Sequence, residues 1–395
     1  MLGLIKHNVQ LFLTKIFYSF KKRDNKIWVF GEWFGERCGD NCAYFAYYLA
    51  KHHPNYNLYW VFKNKSIIKD LPQGVTALEM DSKECVNILK KAGLVFVCHG
   101  MADLTSTFSL YYSGALVVNF WHGVPWKKIH SDMYTNPLQR LYCKVTTKLF
   151  GEEYYLSSST EFDKVIQSAF ACKDNKIIKA GYPRNCIFYH SEAINKAKEE
   201  LLSLCRIINE GNQEIPKIIL YMPTFRDNTK ALFSFEKSTY LKEFESLLTN
   251  WNAYIIEKSH FIDLHRGSID KDSNNRIIHI DNFPSQKLLA AADVLITDYS
   301  SCFFDYLILD RPIIHFLYDF NSYLNTDRGL YYKVDQVSCG DVVYEEKELI
   351  CKLVDNLKDP SRYHELRSKR KSSYINYESS DSCTLIYKTI CQLLH

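Results

Sequence analysis

A chain of 395 residues is longer than one hydrophobic core usually organises, so two domains of ordinary size are expected. With 47% hydrophobic and 24% charged residues and only 15 Gly and 10 Pro, the composition excludes a disordered or fibrous protein. The net charge of +4 gives nucleic-acid binding no support, and thirteen cysteines, odd in number and without a CxxC pair, read as free, mostly buried thiols of a reducing cytoplasm and argue against a structural metal site.

The first twenty residues, MLGLIKHNVQLFLTKIFYSF, place Leu2, Ile5, Val9, Phe12, Leu13, Ile16 and Phe20 at helical spacing, and Lys21, Lys22 and Arg23 follow. Lys6 and Lys15 interrupt the stripe, so no uncharged run nears the roughly 20 residues that span a bilayer. Segment 1–24 is therefore either an interfacial helix whose basic residues face anionic lipid or a helix packed on its own domain. No cleavable signal is legible in it.

Beyond Asp24, β-rich apolar runs alternate with helix-like stretches: KIWVFG at 26–31, LYWVFK at 58–63, LVFV at 94–97 and ALVVNFW at 115–121. Such alternation implies βαβ units and a parallel sheet. The pattern changes between 187 and 216, where SEAINKAKEELLSLCRIINE reads as a helix, and the domain boundary is placed there. A second series follows in KIILYM (217–222), NAYIIEK (252–258), RIIHI (276–280), DVLITDY (293–299) and PIIHFLY (312–318). The expected organisation is an α/β chain of two Rossmann-like domains facing a central cleft, at 25–188 and 189–375, with 376–395 as a C-terminal helix. The basic run LRSKRK, with Arg362, Arg367, Lys369, Arg370 and Lys371, reads as a solvated helix face before a polyanion contact. DKDSNN at 270–275 lacks the glycine of a calcium loop and reads as a polar loop.

Open parallel sheets bind ligands at the carboxyl ends of their strands, so the residues just after each run carry the chemistry. These are His122 after ALVVNFW, Arg226 and Asp227 after KIILYMPTF, His260 after NAYIIEKS, and Ser300 and Ser301 after DVLITDY. His122 is a candidate general base, with Gly123 permitting close approach and Pro125 stiffening the turn. Lys127 and Lys128 read first as solvated side chains. Arg226 offers a planar fork suited to a diphosphate, or to a surface ion pair. His260 alone is as well explained by packing. A strand ending at Asp298 and Tyr299 and a helix beginning at Ser300, as N-cap, would aim N–H groups and two hydroxyls at an anion, although a serine pair can equally be only a cap.

Taken in order, FWHGVPWKKI, GYPRN (181–185), ILYMPTFRD (219–227), ITDYSSCFFDYLILDRPIIHF (296–316), YDFNSY (318–323) and RGLYY (328–332) resemble the CDP-glycerol glycerophosphotransferase family of teichoic acid primases and polymerases, well over residues 90–335 and loosely before. The resemblance implies a GT-B fold, peripheral attachment to the cytoplasmic face of the cell membrane, and transfer of glycerol phosphate from CDP-glycerol, or ribitol phosphate from CDP-ribitol, with release of CMP. The acceptor would be a lipid-linked or polymeric polyol-phosphate or saccharide in teichoic acid or capsule synthesis. His122 would take the base role, with His260, on the opposite side of the cleft, as a second catalytic residue that grips the donor pyrophosphate. Arg226, Ser300, Ser301, Asp298 and Gly123 would make up the donor site, Asp298 by shaping its loop. No metal and no cofactor beyond the CDP-polyol is implied. Two departures stand out: Trp126 where a smaller apolar residue is common, which bears on acceptor fit, and Cys186 where Asp often follows GYPRN. A glycosyltransferase using a nucleotide sugar, on the same fold, and a membrane-bound scaffold are the rival readings.

Overall fold

The computed structural model describes residues 2–107, 109–151, 154–207, 214–224, 233–258, 276–281, 283–320, 323 and 329–394. The chain forms two compact units. Unit 1 holds Met1–His122, Ile129–Cys186 and Asn376–His395, and unit 2 holds Gly123–Lys128 and Ile187–Ile375.

The sheet of unit 1 contains β1 (Asp24–Phe30), β2 (Asn57–Phe62), β3 (Val75–Glu79), β4 (Ala92–Val97), β5 (Leu116–Asn119), β6 (Tyr154–Ser157) and β7 (Ile177–Lys179). Their order is β3-β2-β1-β4-β5-β6-β7, and every pairing is parallel. The order reverses between β1 and β4, which opens a crevice at their carboxyl ends. Unit 2 contains β8 (Lys217–Met222), β9 (Ala253–Lys258), β10 (Ile277–Ile280), β11 (Val294–Thr297), β12 (Ile313–Phe316) and β13 (Asp341–Val343), ordered β10-β9-β8-β11-β12-β13 and again parallel. Here the reversal falls between β8 and β11. These are the two parallel-sheet, Rossmann-like domains that the alternating apolar runs imply.

Burial explains which strands were easy to read. AGLVFV of β4 and VLIT of β11 are buried at every position, as strands covered on both faces must be. The edge strand β3, VTALE, buries only Leu78, β7 and β13 have three residues each, and β6, YYLS, runs straight into serines, so none stands out as an apolar run. Helix starts follow local chemistry. Asp40 Oδ1 accepts from Asn41 N to begin the helix Asn41–His52, and Asn136 with Pro137 begins Pro137–Phe150.

The N-terminal helix, Leu2–Ser19, is both anchored and apolar outside. Leu11 is buried, Gln10 Nε2 donates to Thr107 O at 2.9 Å, and the Leu110 amide donates to Thr14 Oγ1 at 3.2 Å. Val9, Phe12, Leu13, Ile16, Phe17 and Phe20 remain exposed. Arg23 differs from the expectation that it faces lipid: its guanidinium turns inward to the carbonyls of Leu89, Tyr18, Tyr111 and Ser113, and burial lowers its pKa. The helix Pro137–Phe150 lies alongside, joined by Asn8 Nδ2 to Tyr142 Oη at 2.6 Å and Lys15 Nζ to Leu149 O at 2.5 Å.

Two basic groups read as solvated are in fact partly internal. Arg367 is buried, with Nε donating to Asp310 Oδ1 at 2.7 Å, and Arg370 donates to the carbonyls of Ser338 and Asp335. Lys127 places its ammonium 4.9 Å from the centre of the Tyr323 ring. Trp126 likewise belongs to packing: 1% exposed, it meets Phe303 edge-on at 5.7 Å and donates Nε1–H to Tyr332 O at 2.9 Å, all within unit 2. Trp126→Ala is therefore expected to destabilise unit 2 by about 3–5 kcal/mol, read as a lower urea midpoint, while an unchanged midpoint would remove this indole from the core.

Candidate active site

In unit 1, the residues that follow β1, β4 and β5 converge at the crevice. His122, three residues beyond β5, is half-buried between aromatic rings: His99 stacks on it at 4.4 Å and 11°, and Trp121 at 4.3 Å and 28°. Its Nδ1 lies 3.4 Å from Cys98 O. A carbonyl can only accept, so Nδ1 carries the proton and the Nε2 lone pair is left to take one from a substrate. Burial first, and the neighbouring charge of His99 second, pull the His122 pKa down from 6.5 to about 3. The ring is neutral at physiological pH.

Three buried carboxyl groups fix this crevice. Asp103 receives the amides of Phe34 at 2.8 Å, Cys98 at 2.8 Å and His99 at 2.6 Å, which ties the turn after β1 to the turn after β4. Gly31 permits that approach, since a Cβ there would collide with Asp103 O. Glu32 accepts from the amides of Gly39 at 2.5 Å, Asp40 at 2.8 Å and Ala43 at 3.3 Å. Burial, aided by the charge of Asp40, raises its pKa to about 8. Asp40 accepts from Trp33 Nε1 at 3.0 Å and pairs with Arg184 Nη1 at 2.8 Å. Burial pushes the Asp40 carboxyl up, but the charge of Arg184 and the hydrogen bonds from Arg184 and Asn41 pull it below the ordinary value. The same Arg184 nitrogen donates to His122 O at 3.0 Å.

Arg184 comes from GYPRN, and the motif is clamped in turn by the returning C-terminal segment. Glu378 Oε1 accepts from Tyr182 N at 2.9 Å and Asn185 Nδ2 at 3.0 Å, and a Cβ on Gly181 would run into Glu378 and Ser382. GYPRN thus positions His122 through its arginine. Among the described residues, Glu32, Cys42 and Cys98 bring ligand atoms within 4.8 Å of one another, a donor set a metal could use, but here both Glu32 oxygens serve as acceptors for backbone amides.

In unit 2, the crevice between β8 and β11 is bordered by Thr224 and by Asp298 to Ser301. Asp298 is fully buried, and one carboxylate oxygen accepts from Thr224 N at 2.8 Å and Ser300 N at 3.3 Å, joining the two strand ends. Ser300 and Ser301 are half-buried. The expected helix start needs correction: Ser301, not Ser300, occupies the N-cap position, it makes no side-chain cap bond, and the helix Cys302–Tyr306 has five residues before a 3₁₀ turn at Leu307–Leu309. So short a helix supplies little dipole, and the Ser300 hydroxyl accepts from Cys302 N at 3.5 Å. Gly123, in the segment that unit 2 holds, is buried with φ 131°, a conformation costly to any other residue.

Of the residues predicted from sequence, His122 stands in unit 1, and Gly123, Asp298, Ser300 and Ser301 in unit 2. Arg226, Asp227, His260 and the DKDSNN loop lie outside the described residues. The reading by strand ends missed Glu32, Trp33 and His99, although the same rule applied to KIWVFG and LVFV points directly at them. Asp40, Asp103 and Arg184 come from no strand end and carry no such signal.

The family profile described as CDP-glycerol:poly(glycerophosphate) glycerophosphotransferase matches residues 12–392. The chain belongs to that family. It is 27% identical over 352 residues to a teichoic acid poly(glycerol phosphate) polymerase of Staphylococcus epidermidis, covering 85% of this chain but 46% of that one, so it spans about half the length of this relative. It is 28% identical to the teichoic acid glycerol-phosphate primase of Bacillus subtilis, covering 82% of each. The solved wall teichoic acid polymerase TagF superposes with a TM-score of 0.78 at 23% identity, over 100% of this chain and 96% of that one, which identifies the fold as GT-B.

The depressed pKa of His122 has a consequence for stability. As pH falls through about 6.5, the unfolded chain takes up a proton at this residue that the folded chain refuses until about 3, so the group subtracts stability over that window. His122→Asn removes the penalty. Between about pH 7 and about pH 4.5 the variant is expected to lose less unfolding free energy in urea than the parent, whereas equal losses would mean an unperturbed imidazole.

Proposed function

We propose that this protein transfers glycerol phosphate from CDP-glycerol to a hydroxyl of a lipid-linked or polymeric acceptor in teichoic acid or capsule synthesis. The observation that carries the reading is His122, its Nδ1 turned to Cys98 O, at the carboxyl end of β5 in a chain that belongs to this family. His122 removes the acceptor proton, the resulting oxygen attacks the phosphorus that bears the glycerol, and the bond from that phosphorus to the CMP oxygen breaks, the electron pair leaving with CMP. The donor diphosphate falls to Arg226, His260, Ser300 and Ser301, with Asp298 and Gly123 shaping the loops that present them. Charge is carried by these side chains and amides, with no metal or further cofactor assigned.

The reading includes a place at the membrane. No described helix is long and apolar enough to cross one. The exposed face of Leu2–Ser19 is extended by Leu138, Leu141, Tyr142, Val145 and Leu149, which recur at helical spacing on Pro137–Phe150, a helix that buries no residue. Arg140, Lys144 and Lys148 occupy its other side, and Lys21 and Lys22 are exposed at the end of the first helix. This supports peripheral attachment to an anionic surface, on the cytoplasmic face where the CDP-linked donor is found.

Incubation with detergent-solubilised lipid acceptor and CDP-glycerol, CDP-ribitol or nucleotide sugars in turn is expected to release nucleotide from CDP-glycerol, with chelator leaving the rate unchanged. His122→Ala should slow CMP release about 100-fold or more while donor binding persists, and near-full release would refute the base assignment. Release from a nucleotide sugar alone would point to glycosyl transfer. Separately, Leu138→Glu with Leu141→Glu is expected to abolish flotation with anionic vesicles and to spare turnover on a water-soluble acceptor. Flotation equal to the parent would locate membrane attachment elsewhere.

A further inference from the structure

Two pairs of cysteines approach each other in unit 1, and they differ in kind. Cys42 and Cys98 place their sulfurs 3.5 Å apart but are wholly buried, and burial pushes the Cys42 thiol to about 12 and the Cys98 thiol well above its ordinary value. Such thiols are inert. Cys186 and Cys383 place theirs 3.8 Å apart at the first turn of the twelve-residue helix Ser382–Leu393, with Cys383 buried and Cys186 partly open to solvent. Cys186 is also where the sequence departs from the aspartate that often follows GYPRN.

We propose that Cys186 and Cys383 form a peroxide-responsive dithiol, with Cys186 the attacking sulfur and Cys383 the resolving one. The surroundings distinguish the two roles. The Cys383 thiol, and then the backbone amides of Cys383 and Cys186, donate toward Cys186 and lower its pKa against the opposing effects of burial and of Asp381. Cys383 is shifted upward by the same hydrogen bond and by its burial. Cys186 is thus the sulfur that an oxidant from solvent reaches and the more acidic of the two, with the buried Cys383 sulfur 3.8 Å away to resolve it.

In the first step the Cys186 thiolate attacks the distal oxygen of a hydroperoxide. The O–O bond breaks, giving a sulfenic acid at Cys186 and an alcohol, or water when the oxidant is hydrogen peroxide. Cys383 then attacks that sulfur, the S–O bond breaks, and water leaves with the thiol proton, so two thiols lose two electrons to one hydroperoxide. The disulfide would staple the C-terminal helix to the turn that carries Arg184. A thiol reductant reverses it.

The test treats the full chain with hydrogen peroxide and maps peptides by mass spectrometry. The expected result is a Cys186–Cys383 cross-link that dithiothreitol reverses, with Cys42 and Cys98 unlinked. In Cys383→Ser, which cannot resolve, dimedone should label Cys186 faster than the exposed Cys351, and Cys186→Ser should yield no cross-link to Cys383. The proposal fails if oxidised parent protein lacks the 186–383 peptide, if Cys42 and Cys98 link first, or if Cys351 is labelled at least as fast as Cys186.

Discussion

The buried pair of Arg184 and Asp40 is the contact on which the rest of unit 1 is arranged. Neither charge is far from losing water entirely, with 8% and 5% exposure, so neither persists without the other. Once paired, each does a second task. Asp40 begins the helix Asn41–His52 and holds the Trp33 indole, while Arg184 uses the same nitrogen to hold the carbonyl of His122. A residue from GYPRN, 62 positions beyond the histidine, thereby sets the backbone from which the imidazole projects. Breaking such a pair leaves an uncompensated charge, which costs several kcal/mol, so the cost of misplacing His122 is coupled to the cost of unfolding the crevice.

The electrostatics of the crevice follow from the same economy of burial. Three carboxyl groups stand within the turns after β1 and β4, and a histidine stacked on another would ordinarily draw a proton from solution to balance them. It does not, although the carboxyl groups are held by backbone amides and Arg184 and the Asp40 charge does pull the pKa of His122 upward. Desolvation first and the charge of His99 next outweigh that pull, so the neutral ring is favoured.

How much of this was legible in sequence depends on how far each feature reports itself locally. Apolar runs announce strands, above all central ones, because a strand covered on both faces must be apolar throughout, and nine of the strands carry such a run, the edge strand β10 among them. The edge strand β3 and the short β6, β7 and β13 lack such runs, and only tertiary pairing makes them strands. His122 was found because it follows a long apolar run. Asp40, Asp103 and Arg184 were not, since each is recruited across the fold by a backbone amide or an opposite charge, and no spacing rule encodes such partners. The outward stripe on Pro137–Phe150 was missed for a different reason: an amphipathic helix reads the same whether its apolar side meets a core or a lipid surface. Trp126 was read toward an acceptor and is instead a core residue of unit 2.

The chain around His122 holds an unfavourable backbone. Trp121 takes φ 54° and Gly123 φ 131°, on either side of the histidine. The left-handed conformation at Trp121 costs about 1–3 kcal/mol and survives only where its surroundings over-determine it. They do so here: the Trp121 amide donates to Asn119 Oδ1 at 2.8 Å, and its carbonyl accepts from Asn41 Nδ2 at 2.9 Å. Arg184 holds the next carbonyl, that of His122, so the backbone from Asn119 to His122 is tied within unit 1. The strain at Trp121 is thus borne by ordinary hydrogen bonds and packing at its neighbours, and its product is a single orientation for one imidazole.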